Sequence, residues 1–178
     1  MKINLLLLGK KPKIVKKWFD LIVETYPPDT SNFLKRQKNR FDNPVGYTFS
    51  DGIEGIFDEL VSGGNTDKVN TFLDNIIRVR AIQEFTPSQA INFIFLLKKA
   101  IREELIDEVR ENQLFEDLSA IESKIDELSI AAFDIYMQCR EKFYEIRVNE
   151  LRNWTNRILH RSNMLKETSP EEESSAGL

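Results

Sequence analysis

Histidine and cysteine occur once each in these 178 residues, as His160 and Cys139, and that scarcity removes whole classes of chemistry. A lone cysteine closes no internal disulfide and forms no redox dithiol. Cys139 has neither a second thiol nor a nearby histidine with which to build a zinc site or a nucleophilic pair. His160 lies among Arg157, Arg161 and Asn163, a poor setting for a proximal haem ligand. The 7 glycines form no phosphate loop and no dinucleotide fingerprint. Clustered acids such as Glu103, Glu104, Asp107 and Glu108 read as a solvated helix surface, not as a general acid/base pair. The apolar run Leu5–Leu8 is far too short to cross a bilayer or to serve as the core of a signal peptide. These absences predict a cytoplasmic protein that is not an enzyme, with no catalytic residue, cofactor or metal and no transmembrane segment.

What the chain does have is a core. Its apolar content is 41%, including 12 Phe, enough for one well-packed domain. The net charge of −4 is unevenly spread: residues 1–40 hold 10 Lys/Arg against 3 Asp/Glu, leaving 15 against 26 in the remainder. Such a basic quarter is either a solvated face or a docking patch for an acidic partner or membrane surface. Without an aromatic-interleaved basic motif, it does not indicate nucleic acid.

Taken in order, the apolar spacing predicts helices throughout and no sustained strand alternation. Ile3–Leu8 reads as a short apolar piece, followed by a helix from Pro12 to about Tyr26 on the face Ile14, Val15, Trp18, Phe19, Ile22 and Val23. A short helix over Ser31–Arg40 comes next. A third, capped by Asn43 with Pro44 at its first position, carries Val45, Phe49, Ile53, Ile56 and Leu60 and ends at Gly63 and Gly64. Gly52 and Gly55 inside it imply close packing of another backbone or room for a ligand. A fourth helix opens at Thr66 or Asp67 with the face Val69, Phe72, Leu73, Ile76 and Ile77. Thr86 and Pro87 then start a central helix, apolar around most of its circumference from Ile91 to Ile101.

Arg80 falls where the fourth helix should place a core residue, with Gln83 and Glu84 one turn on. An ion pair to Glu84 or Glu103 would satisfy it within the fold; anchoring an acidic ligand is the functional reading. From about residue 116 a long helix begins. Leu118, Ile121, Ile125, Leu128, Ala132, Ile135 and Cys139 follow coiled-coil steps of three and four. The pattern continues less regularly through Phe143, Ile146, Leu151, Trp154 and Ile158. A helix of roughly 45 residues spans about 65 Å, so its far half is expected to pair with a second copy or another partner. Cys139 on this seam reads as a small buried hydrophobe or as a redox-sensing thiol beside Arg140 and Lys142. The expected architecture is an all-α helical bundle over residues 1–165, with residues 166–178 a disordered acidic tail.

Three ordered blocks carry a family resemblance: YPPDTSNFLKRQKNRFDNPVGYTFSDGIEGIFDEL, RVRAIQEFTPSQAINFIFLLKKAIREEL and AAFDIYMQCREKFYEIRVNEL. Over roughly residues 3–163 the chain resembles the RsbRD N-terminal domain family, helical input domains of histidine kinases and of co-antagonists of the RsbT kinase. The resemblance implies a sensory or regulatory module, globin-like without haem, that pairs as a homodimer and whose last helix leads to an output domain. Here no kinase or phosphoacceptor segment follows Arg161, so the module is expected to act in trans on a signalling protein. Stand-alone relatives extend that expectation to a membrane redox complex. A small-molecule sensor with a pocket near Arg80 and Gly52/Gly55 is the alternative.

Overall fold

The computed structural model describes residues 2–36, 43–63, 66–83 and 85–167. They form six helices and no strand: α1 Lys2–Val23, α2 Pro28–Arg36, α3 Pro44–Ser62, α4 Thr66–Ile82, α5 Pro87–Glu111 and α6 Phe115–Glu167. The all-α reading and the long last helix are therefore correct. The chain divides into two compact units, Met1–Cys139 and Arg140–Leu178. Gly64, Glu84, the expected end of the second helix near Arg40 and the acidic tail from residue 168 lie outside the described residues.

Where the sequence pattern predicts a break before Pro12, α1 instead runs through it. Ile3, Leu7, Ile14, Trp18 and Ile22 are all buried at steps of four and seven, one continuous face across the proline. Burying Ile3 and Leu7 contributes about 3–6 kcal/mol, which matches or exceeds the roughly 3 kcal/mol that an interior proline costs a helix. Leu5 and Leu8 point outward.

Helix α5 is central, as its sequence implies, and its start is set by chemistry. Thr86 accepts from the Gln89 backbone N–H, while the Gln89 side chain accepts from the Thr86 N–H. This reciprocal cap satisfies two amides that would otherwise lack partners. Ala90, Phe93, Ile94, Leu97, Ala100, Ile101, Leu105 and Val109 are buried, but Phe95 is exposed. Its apolar surface thus covers less of the circumference than the unbroken run implies. Against α1, the Trp18 indole N–H donates to the Phe93 carbonyl at 2.6 Å, and the two rings stack.

Helix α3 begins as predicted. The Asn43 side chain accepts from the Gly46 N–H and Pro44 sits in the first turn; Gly63, in the left-handed region at φ 91°, ends the helix. The two internal glycines serve helix packing. A Cβ at Gly52 would meet Ile76 Cδ1 at 2.8 Å, and one at Gly55 would run into the Phe72 ring. No room for a ligand remains there.

The acidic excess beyond residue 40 answers part of the basic quarter within the fold. Lys10 pairs with Glu108, Lys11 with Glu54 and Asp58 at 2.9 and 2.7 Å, and Lys17 with Glu103 and Glu104. Lys17 holds the Glu103 carboxyl below the usual carboxylate range, and Lys10 does the same for Glu108. Because those folded-state values are depressed, what the pairs add is present at neutral pH and fades as pH falls through them.

Up to Cys139, α6 turns its seam onto its own bundle. Leu118, Ile121, Ile125 and Ala132 are buried, with Leu128, Ile135 and Cys139 partly covered. Lys98 bonds to Asp126 at 2.6 Å and the Arg102 guanidinium grips Glu122. Those residues are consumed within one chain and do not form a free coiled-coil face.

The fit of α3 on α4 yields a stability test. Replacing Gly52 with Leu should lower the stability measured by urea unfolding by about 2–3 kcal/mol, the range of overpacked cores. Adding Ile76→Ala should return part of that loss, because the two positions share one volume.

Candidate functional site

Arg80 is completely buried. It lies in the last turn of α4, where Val69, Leu73, Ile76 and Ile77 commit that helix face to the interior and carry the guanidinium in with them. Four aromatic rings surround its central carbon: Phe85 at 4.5 Å from ring centroid, Tyr26 at 5.3 Å, and Phe49 and Phe93 at 5.8 Å each. Tyr26 stands edge-on to both Phe49 and Phe85. The rings come from the turn after α1, from α3, from the turn between α4 and α5, and from α5.

Neither carboxylate expected to neutralise Arg80 does so among the described residues. Glu103 belongs to Lys17, and Glu84 lies outside them. One guanidinium nitrogen, Nη2, donates to the Thr25 hydroxyl at 3.3 Å and to the Gln89 carbonyl at 3.2 Å. The other two, Nε and Nη1, have no hydrogen-bond partner among the described residues. Burial pushes the Arg80 pKa down, opposed by the nearby Tyr26 oxygen, and burial pushes the Tyr26 phenol up. Desolvating a cation costs several kcal/mol, whereas each ring contact contributes about 0.5–2 kcal/mol. Four rings therefore offset much of the charge penalty. A ring face remains a poor substitute for an oxygen acceptor, so two N–H groups stay unanswered.

The turn over this box is tied on both sides. The Tyr26 hydroxyl donates to the Gln83 side-chain oxygen at 3.0 Å, and the Tyr136 hydroxyl of α6 donates to the Phe85 carbonyl at 2.9 Å. Of the predicted polar candidates, Arg80 and Gln83 thus meet through Tyr26. Sequence reasoning missed Thr25, Tyr26, Phe49, Phe85, Phe93 and Tyr136. The usable signal was a buried-register arginine followed within a few residues by an aromatic beside the Thr86 cap.

The predicted interface residues belong to the second unit. Phe143, Ile146, Leu151, Trp154 and Ile158 are all exposed, Trp154 to 61%. At 100° per residue, Phe143, Trp154, Ile158 and Leu151 fall on one line, with exposed Tyr144 at one edge and Ile146 at the other. The Arg140 guanidinium rests on the Tyr144 ring and bonds its hydroxyl at 2.6 Å. Cys139 is partly buried and lies near Arg78 of α4. His160 is exposed. Among the described residues no group of three or more His, Cys, Asp or Glu could hold a metal ion, and no helix is long and apolar enough to cross a membrane.

Residues 12–151 match the family model described as the RsbT co-antagonist protein rsbRD N-terminal domain. The chain belongs to that family. The match takes in every residue of the Arg80 box, and the family suggests a regulatory signalling domain. An uncharacterized protein of Archaeoglobus fulgidus is 29% identical over 143 residues, covering 79% of this chain and 83% of that protein. No solved structure matches. In this RsbRD N-terminal domain nothing found points to catalytic activity.

Because no acidic side chain among the described residues pairs with Arg80, its replacement strands no opposite charge there. Arg80→Met, which keeps the volume, should change unfolding free energy by less than about 1 kcal/mol or raise it, whereas Arg80→Ala should cost about 2–4 kcal/mol through the cavity. Loss of about 3 kcal/mol or more in Arg80→Met by chemical denaturation would reveal a buried carboxylate partner.

Proposed function

We propose that this chain is a non-enzymatic, cytoplasmic regulatory module that works by protein contact, acting in trans on a signalling protein or membrane redox complex. The observation that carries the reading is the uncovered helix beyond Cys139, where residues 141–161 are all exposed although Tyr144, Leu151, Trp154 and Ile158 are large and apolar. Most helix stability in proteins comes from packing an apolar face, and exposed apolar stripes mark interaction sites. Family membership supports a regulatory role, and the spacing of seven from Tyr144 to Leu151 to Ile158 suits a partner helix with the same repeat. A two-fold homodimer is the closed arrangement that buries this line on both copies. Phe143 lies on the same line, with Ile146 at its edge.

A second reading, a small-molecule sensor, keeps only its Arg80 half. Ile76 and Phe72 fill the space beside Gly52 and Gly55, but the unanswered Nε and Nη1 of Arg80 favour a ligand there. Gln83 and Glu84 belong to the same reading. For Cys139, partial burial beside Arg78 supports a redox-responsive thiol less than a packed one.

Analytical ultracentrifugation at micromolar concentration should give a dimer. Leu151→Glu or Trp154→Glu should shift it to monomer with circular dichroism nearly unchanged. A wild-type chain still monomeric at hundreds of micromolar would remove self-association and leave the stripe to a different partner.

A further inference from the structure

We propose that the Arg80 box is a binding site for a small carboxylate with a flat, apolar body about the size of a phenyl ring, taken up by displacement of Phe85. The inference rests on the sensor reading and names its ligand class. Three observations converge on it. The guanidinium is fully buried, and two of its three nitrogens lack an acceptor among the described residues, so a single oxoanion supplies what they leave out. Of the four rings around it, Tyr26, Phe49 and Phe93 are sealed from solvent, whereas Phe85 is only partly covered. Phe85 also lies outside any helix, immediately before the exposed Thr86, so its ring can leave without unwinding an element. What it would vacate is a slot walled by aromatic rings with a cation at its base, which selects a monoanion with a planar apolar body over a hydrated dianion such as phosphate.

The site also has a built-in readout. Phe85 is held through its carbonyl by Tyr136 of α6, so a ligand that moves the Phe85 segment loosens a polar tie between α6 and the turn. Ligand chemistry and α6 are thereby joined through one peptide unit.

Benzoate, its neutral isostere benzamide and inorganic phosphate are the probes, each added at about 10 mM to the full chain in thermal unfolding. For a dissociation constant near 1 mM, benzoate should raise the melting temperature by about 3 °C. Benzamide and phosphate should leave it within about half a degree. Arg80→Met should abolish the benzoate shift, and Phe85→Ala should enlarge it by removing the ring that competes for the slot. As a check independent of variants, amide hydrogen exchange around Phe85 and in α6 near Tyr136 should quicken in wild type with benzoate. Equal shifts from benzoate and benzamide, none from benzoate, or a benzoate shift surviving in Arg80→Met would overturn the proposal. A neutral compound whose stabilisation depends on Arg80 would overturn the carboxylate assignment while leaving the sensor reading standing. The oligomeric state tests the protein-contact reading separately.

Discussion

A buried cation that meets aromatic rings and no carboxylate among the described residues organises the first unit. Arg80 is tolerated in the interior because rings from the turn after α1, from α3, from α5 and from the α4–α5 turn surround it. The hydrogen bonds to Thr25 and Gln89 add direction to what cation–π attraction leaves loose. Tyr136 then ties α6 to the same turn. An apolar residue at position 80 would fill the volume, yet it would not require Thr25, Gln89 and four rings to agree on one arrangement. Polar groups in cores can act as such registers.

The outer layer of the bundle is held by a different force. Lys10, Lys11 and Lys17 use one side of α1 to reach acids on α3 and α5. Individually, partly exposed pairs of this kind contribute little. Their arrangement still matters, because the apolar face of α1 specifies burial but not which neighbour each flank meets. Charge complementarity selects α3 on one flank and α5 on the other. A sequence split into a basic first quarter and an acidic remainder therefore has a partly internal explanation, which composition alone cannot separate from a docking patch.

Much of the fold was legible because local chemistry and periodicity agree. Asn43 with Pro44 and Thr86 with Pro87 mark helix starts that the structure keeps, and the 118–139 spacing marks a helix face. Pro12 was misread because helix propensity is local, whereas the burial of Ile3 and Leu7 that overrides it depends on partners distant in sequence. Arg80 was legible as a buried position from its spacing after Leu73 and Ile76. Its partners were not, because a search for opposite charge looks for Asp and Glu, while the fold answers with rings scattered from Tyr26 to Phe93. No pattern of three or four residues encodes a box assembled from four separate elements.

The two portions of α6 obey the same helical geometry with opposite outcomes. From Leu118 to Cys139 the apolar steps coincide with side chains that bury them, so helix stability there is a tertiary property. From Arg140 on, the apolar residues continue, with Tyr144, Leu151 and Ile158 spaced by sevens, but these stay exposed. Local support is available, as in Arg140 on Tyr144 and Arg147 over Phe143. Such i, i+4 contacts are each worth only about 0.2–0.5 kcal/mol, too little to hold an uncovered helix against fraying. Exposed Trp, Leu, Ile and Tyr on one line are what the proposed contact with another surface would bury. The same helix bonds the Arg80 turn through Tyr136, so under the proposed reading a change at the buried arginine and a contact on the exposed line would act on one element.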